Sequence, residues 1–287
     1  MNKRLLPLWW VLMPGLVAAV PPAVADCLSD AQVARLAAAF EAGEPAENPV
    51  DLSTMEGECS RAKFNAILRA RLGPPAGYKA GLTNSAVQQR FGHDSPVRGS
   101  LYTPMLLHSG VTVPSQFGAR PLFEADLLVR VSDPAINRAT TPAEVLTSID
   151  QVIPFIELPD LIVNDPGQLN GAAIIAINVG ARLGVMGGPI TVGADSGLAE
   201  ALQDMTVVVR GNGDELDRGQ GSDVLGHPLN AVIWLASDLA REGLALNKGD
   251  LVSLGSFSRL LPPAPGLAVE IQYLGLPGDP KVEVFFH

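Results

Sequence analysis

Three acidic residues stand inside apolar, strand-forming runs, and they restrict what this chain can fold into more than any other feature. Glu124 and Asp126 lie in Leu122-Phe123-Glu124-Ala125-Asp126-Leu127-Leu128-Val129, and Glu157 lies in Val152-Ile153-Pro154-Phe155-Ile156-Glu157-Leu158. Residues two apart in a strand point to one face, so Glu124 and Asp126 are expected to project together. Paired carboxylates in a poorly hydrated place repel and resist ionisation unless a cation neutralises them. A hard divalent ion with oxygen ligands answers that need. A wet acidic strand face is the alternative for the pair alone. Glu157 weighs against it, because its same-face neighbours would be Ile153 and Phe155. A lone lysine, Lys79, sits upstream among small and apolar residues in Gly77-Tyr78-Lys79-Ala80-Gly81-Leu82-Thr83-Asn84. Held out of water beside a metal it would exchange protons near neutral pH; the alternative is an exposed lysine beside a turn.

The first residues give the expected compartment. Asn2-Lys3-Arg4 is a short basic start, followed by an apolar run from Leu5 to Val20 and by Ala23-Val24-Ala25. This is the pattern of a secretory signal peptide over 1–25, and Pro14 and its modest length argue against a membrane anchor. The expected compartment is the periplasm, or the medium, with no membrane attachment after cleavage. The chain has two cysteines, Cys27 and Cys59. In an oxidising compartment they read as a disulfide, with two buried free thiols as the alternative.

About 260 residues remain after the leader, enough for one large domain with a helical appendage. A formal charge of −10 argues against a nucleic-acid partner, and 47% hydrophobic residues allow a substantial core. The segment 26–73 reads as helical. Ser29 caps a helix from Asp30 to Phe40, and a second runs from about Ser60 to Leu72, where Gly73-Pro74-Pro75 stops it. From 74 to 287 the pattern changes to short strands and turns. Strands are expected at Tyr78–Leu82, Glu124–Val131, Ile153–Leu158, Met205–Arg210, Leu251–Gly255, Ala268–Leu274 and Lys281–Phe286, with a central one at Ala173–Leu183. Ser85–Phe91 reads as a helical turn, and Thr141 and Pro142 open a short helix running to about Ile149. Gly211-Asn212-Gly213-Asp214 is a hairpin turn, and Pro228 opens an amphipathic helix through Leu239 that ends at Gly243. Irregular alternation without a βαβ rhythm predicts an α+β fold.

Other chemistries fail on spacing. Gly211-x-Gly213 and Gly219-x-Gly221 do not open a helix as a dinucleotide loop would. Ser60-Arg61-Ala62-Lys63 imitates the Ser-x-x-Lys of penicillin-recognising enzymes, but the companion motifs are missing. The four histidines show no paired-ligand spacing.

Gly77-Tyr78-Lys79-Ala80-Gly81-Leu82-Thr83-Asn84 followed by Phe91-Gly92-His93-Asp94-Ser95-Pro96-Val97-Arg98-Gly99 resembles the 2-keto-4-pentenoate hydratase family of the fumarylacetoacetate hydrolase superfamily. Glu124-Ala125-Asp126 is similar to its Glu-x-Glu metal motif, and Ile156-Glu157-Leu158-Pro159-Asp160 to the segment holding its third carboxylate. Gly219 to Leu229 and Lys248 to Phe257 follow in family order. The resemblance implies a mixed β-roll or barrel over 74–287 with the helical region packed on it. It also implies a homo-oligomer, a small 2-oxo acid substrate, and Mg²⁺ or Mn²⁺ held by Glu124, Asp126 and Glu157. Lys79 would transfer protons, and Gln88 (or Gln89), Asn178 and Ser256 would line the substrate pocket. Asp126 stands where the family has a second Glu, so the ion would sit closer to the strand. Ile177 stands where members commonly carry Asp.

The implied reaction is metal-dependent addition of water to a 2-hydroxy-2,4-dienoate or 2-oxo-4-enoate. A decarboxylase of the same superfamily uses the same stabilised enolate, and a non-catalytic periplasmic binder of small oxo-acids is the reading from a different class.

Overall fold

A computed structural model describes residues 26–193 and 197–287; the segment read as a signal peptide lies outside them. In chain order the first elements are α1 (Asp30–Ala42), α2 (Thr54–Leu72), β1 (Pro75–Gly81), α3 (Ser85–Arg90), β2 (Val97–Tyr102), β3 (Leu106–His108) and β4 (Val111–Val113). The middle holds β5 (Glu124–Val131), α4 (Pro142–Leu146), β6 (Ile149–Leu158), α5 (Gly171–Ala176), β7 (Leu183–Met186) and β8 (Ile190–Thr191). The last third holds α6 (Leu198–Asp204), β9 (Thr206–Gly211), β10 (Asp214–Gln220), α7 (Asn230–Arg241), β11 (Leu251–Ser253), β12 (Ala268–Leu274) and β13 (Lys281–Phe286).

Among the described residues the strands form two sheets. The larger runs β2-β1-β11-β5-β6-β7-β3, with β8 paired to β6, and the smaller runs β10-β9-β12-β13-β4. β1 pairs parallel with β11, whereas β5 is antiparallel to both β11 and β6. The result is a mixed α+β architecture. β5 and β6 are buried on both faces because their sequences are nearly continuous apolar runs, and Leu127, Val129, Val152 and Ile156 join Val269, Ile271 and Tyr273 of the smaller sheet in one core. α7 closes that core with Ala231, Val232, Leu235 and Leu239 at helical spacing.

The N-terminal helices form a second core with α5. A capping box at Ser29 starts α1, and Gly43 ends it in the left-handed conformation that glycine adopts without steric cost. α2 begins six residues before the expected Ser60, because Ser53 and Glu56 form a second capping box in the loop. Phe40 and Phe64 meet edge to face, with centroids 5.9 Å apart. A disulfide joins Cys27 to Cys59 with 5.7 Å between their Cα atoms, tying residue 27 to α2.

One expectation is overturned. Ala173–Leu183 is not a central strand: α5 covers Gly171–Ala176, a 3₁₀ turn covers Asn178–Gly180, and β7 begins only at Leu183. Asn170 caps α5 by accepting from the Ala173 N–H. A fully buried apolar run shows no face, so its periodicity cannot separate helix from strand. The small residues also let two backbones touch, and a Cβ on Gly57 of α2 would lie 2.5 Å from the Ala172 carbonyl oxygen. Among the described residues no helix is long and apolar enough to cross a membrane.

Candidate active site

Register brings the acids and the lysine together. Glu124 lies directly opposite Glu157 across the β5–β6 pair, a placement that repels unless something positive intervenes. On the other side, β11 separates β5 from β1, and Ser253 pairs with both Leu128 and Lys79. Lys79 therefore reaches the acids from two strands away. Its ammonium donates to Glu157 Oε1 and to the Val179 carbonyl at 3.0 Å. Lys79 is 3% exposed and Glu157 2%, so the pair is held outside bulk water.

The three carboxylates differ in how their oxygens are used. Glu157 holds Lys79. Glu124 is only partly buried and lines the cavity described below. Burial raises its pKa well above the ordinary value; repulsion from Glu157 adds to this, and Asp126 adds less. Asp126 is fully buried and raised in the same way by burial and by Glu157. Its oxygens are taken by the protein. Oδ1 accepts from the N–H groups of Leu127 at 2.6 Å, Leu254 at 3.1 Å and Gly255 at 3.0 Å, and Oδ2 accepts from the Ser253 hydroxyl. Among the described residues no group of three or more His, Cys, Asp or Glu side chains is arranged to hold a metal ion. The expected three-carboxylate ligand set is thus not assembled in this arrangement, although its charges are close enough to repel.

The charge count still suits a divalent cation. Three buried or half-buried carboxylates face one ammonium, so two of them lack a cationic partner. An oxygen-rich site with that deficit fits Mg²⁺ or Mn²⁺, which accept one or two carboxylates and take further oxygens from water or substrate.

A cavity of about 720 Å³ opens beside the acids. Lys79, Glu124 and Ser256 line it with Phe91, Ile174 and Val179, giving polar groups and apolar walls in one space. Arg259 lines it too, its backbone N–H donating to Asp217 Oδ2 at 2.6 Å.

Two expected pocket residues lie elsewhere. Gln88 is not among the lining residues; its Nε2 donates to the Leu82 carbonyl at 2.9 Å, and Leu82 carries a φ of 52°. Asn178 is fully buried and spends its amide on structure. Its Oδ1 accepts from Ser100 N at 2.8 Å and Asn65 Nδ2 at 3.0 Å, while its Nδ2 donates to Ser100 O at 3.0 Å. Both amides shape the walls through neighbours.

Sequence reasoning missed Val179, Ser253 and Tyr273. Asn178 and Val179 have φ of 56° and 54°, and a β-branched residue there costs on the order of 1–3 kcal/mol. The conformation aims the Val179 carbonyl at Lys79. Tyr273 is fully buried, and its hydroxyl donates to the Asp126 carbonyl, with the Phe155 carbonyl at 2.9 Å. It ties the smaller sheet to β5 and β6 beneath the acids. No local signal marks these roles, because each depends on contacts distant in sequence.

No family model matches the chain. It is 31% identical over 201 residues to a 2-keto-4-pentenoate hydratase of Paraburkholderia xenovorans (strain LB400), covering 70% of this chain and 72% of that one. It is 28% identical over 200 residues to a 4-oxalocrotonate decarboxylase of Pseudomonas putida, covering 70% and 74%. Among solved structures, the 4-oxalocrotonate decarboxylase from Pseudomonas putida G7 complexed with magnesium and adipate superposes with a TM-score of 0.78. The two are 25% identical, and the match covers 91% of this chain and 99% of that one. A yeast fumarylacetoacetate hydrolase family protein, 16% identical with a TM-score of 0.54 over 74% and 94%, shares the fold.

Proposed function

Because the chain belongs to the 2-keto-4-pentenoate hydratase family, on the fumarylacetoacetate hydrolase fold, we propose that it adds water to a 2-hydroxy-2,4-dienoate or the corresponding 2-oxo-enoate. The observation that carries this reading is the buried Lys79–Glu157 pair beside Glu124, at a cavity large enough for a small oxo-acid. Glu124 and Glu157 would hold a divalent cation, which supplies Lewis-acid stabilisation of negative charge developing on the 2-oxo oxygen. Lys79 moves the dienol proton to the far carbon, giving a 2-oxo-3-enoate, and water then adds at C4. Glu157 and the Val179 carbonyl fix the ammonium for that transfer, and Ser256 lines the cavity beside Glu124. Phe91, Ile174 and Val179 pack the carbon chain and limit competing water.

Incubation with 2-hydroxypenta-2,4-dienoate and Mg²⁺, following loss of dienol absorbance, tests the reading. Turnover well above a Lys79→Ala control is expected, and no loss beyond that control would overturn it. A second reading, decarboxylation of a 2-oxo acid, is favoured by the likeness to the Pseudomonas putida decarboxylases. It predicts CO₂ release from 4-oxalocrotonate, whereas hydration predicts none. Ligand-induced stabilisation without turnover would leave only a binder.

We also infer that the chain works in the periplasm. The basic and apolar start supports export, and the Cys27–Cys59 disulfide fits an oxidising compartment. Cell fractionation should recover it in the periplasmic extract with the first 25 residues removed; recovery of the uncut chain from cytoplasm would contradict this.

A further inference from the structure

We propose that Asp126 is a positioning residue that clamps the 253–255 turn, and that Glu124 and Glu157 alone supply the protein's carboxylate ligands to the cation. This rests on the divalent-ion reading above. An ionised carboxylate offers about four lone-pair sites. In Asp126 three backbone N–H groups, from Leu127, Leu254 and Gly255, converge on Oδ1, and the Ser253 hydroxyl donates to Oδ2. Glu124 and Glu157 are far less engaged: Glu124 lines the cavity, and Glu157 accepts from Lys79. An ion that drew the Asp126 carboxylate off this turn would leave the buried Leu127, Leu254 and Gly255 N–H groups without partners.

The shorter side chain explains the change of role. Asp reaches one methylene less far than Glu, so its carboxylate stays close to β5, where the amides of β11 and the following turn meet it. Gly255 has a φ of 105°, and a Cβ there would lie 2.3 Å from Thr83 Oγ1, so the turn is pressed against the loop after β1. The next residue is Ser256, which lines the cavity with Glu124 and donates its hydroxyl to the Ser258 carbonyl at 2.7 Å. The path runs from Asp126 to the Leu254 and Gly255 amides and on to Ser256, which shares the cavity wall with Glu124.

Three measurements on the purified protein test this. Amide hydrogen exchange without metal should show Leu254 and Gly255 protected in the native chain, exposed in Asp126→Ala and again slowed in Asp126→Asn, whose amide oxygen still accepts. Mn²⁺ affinity, read from the free-ion electron paramagnetic resonance signal, should fall less than about tenfold in Asp126→Asn and about 10–100-fold in Asp126→Ala, the range for residues that orient ligands. Glu124→Gln and Glu157→Gln should each lose more than Asp126→Asn. A crystal of the Mn²⁺ form should keep Asp126 on the Leu254 and Gly255 amides. An Asp126 oxygen at about 2 Å from the ion, or Asn and Ala variants that lose affinity equally, would overturn the proposal while leaving the ion reading intact. No Mn²⁺ binding by the native chain would overturn the two-ligand assignment with the ion reading, and the exchange data would still decide whether Asp126 clamps the turn.

Discussion

Two charge clusters with buried members in this molecule put opposite charges together to opposite ends. The first joins α2, β2 and α7 and is balanced, with Arg61, Arg98 and Arg241 against Glu58, Asp238 and Glu242. Arg98 Nε lies 2.6 Å from Asp238 Oδ2, Arg61 Nη2 lies 2.5 Å from Glu242 Oε1, and Arg241 Nη2 bridges Glu58 at 2.6 Å and Asp238 at 2.8 Å. Arg98 Nη2 lies 2.6 Å from Glu242 Oε1 without the alignment of a hydrogen bond, so that contact is an ion pair only. The second cluster sets Glu124, Asp126 and Glu157 against Lys79 alone. Burial opposes ionisation in both places. At Asp238 the hydrogen bonds from Arg98 and Arg241 outweigh it and its pKa is lowered, whereas at Glu124 and Asp126 neighbouring acids reinforce burial and their pKa values are raised. A charge cluster that only holds elements together closes its own account. One left short of positive charge beside a cavity is built to receive something.

Breaking the unbalanced cluster should affect chemistry most. Lys79→Ala removes the proton carrier and should cut turnover by about 10²–10⁴-fold, read from dienol absorbance, with circular dichroism unchanged. Activity within a fewfold of native would show that the pair is structural, like its balanced counterpart.

Breaking the balanced cluster should affect folding instead. Arg98→Ala leaves Asp238 buried without its main partner and should cost about 3–5 kcal/mol in urea denaturation. A loss below about 1 kcal/mol would place the network among weak surface pairs and erase the contrast. Removing the disulfide with Cys27→Ser and Cys59→Ser frees the N-terminal side of α2, which carries Glu58 and Arg61. For a separation of 32 residues the expected loss is about 4 kcal/mol, with turnover kept at low temperature. Equal loss of turnover would mean that the helical region supports the cavity directly.

The smallest effect is a pH dependence. The folded-state pKa of Asp238 lies below its unfolded value, so the unfolded chain binds more protons between the two. Its contribution to stability is present above the ordinary Asp range and is lost as pH falls through the lowered value. Asp238→Asn should flatten this part of the acid limb of a stability profile, and an unchanged limb would count against the assignment.

Much of the fold was legible because its signals are local. Ser29 with Gln32, the Asn212-Gly213 turn, and the apolar runs of β5, β12 and β13 each declare their state within a few residues. The run at 173–183 does not, since burial on all sides removes the polar face that would reveal its period. At the site, the clustering of Lys79 with Glu124 and Glu157 was readable from acids placed in apolar runs. The roles of Asp126, Asn178 and Gln88 were not, because each is decided by a backbone partner from 6 to 129 residues away in sequence.

Thermal unfolding of the purified protein across a Mg²⁺ or Mn²⁺ titration tests the central claim most directly. A cation that binds the folded state alone should stabilise it by mass action, by about 2.7 kcal/mol at a hundred times its Kd, and so raise the midpoint, and Glu124→Gln and Glu157→Gln should lose that rise. A midpoint indifferent to either ion, or raised equally in both variants, would contradict the account.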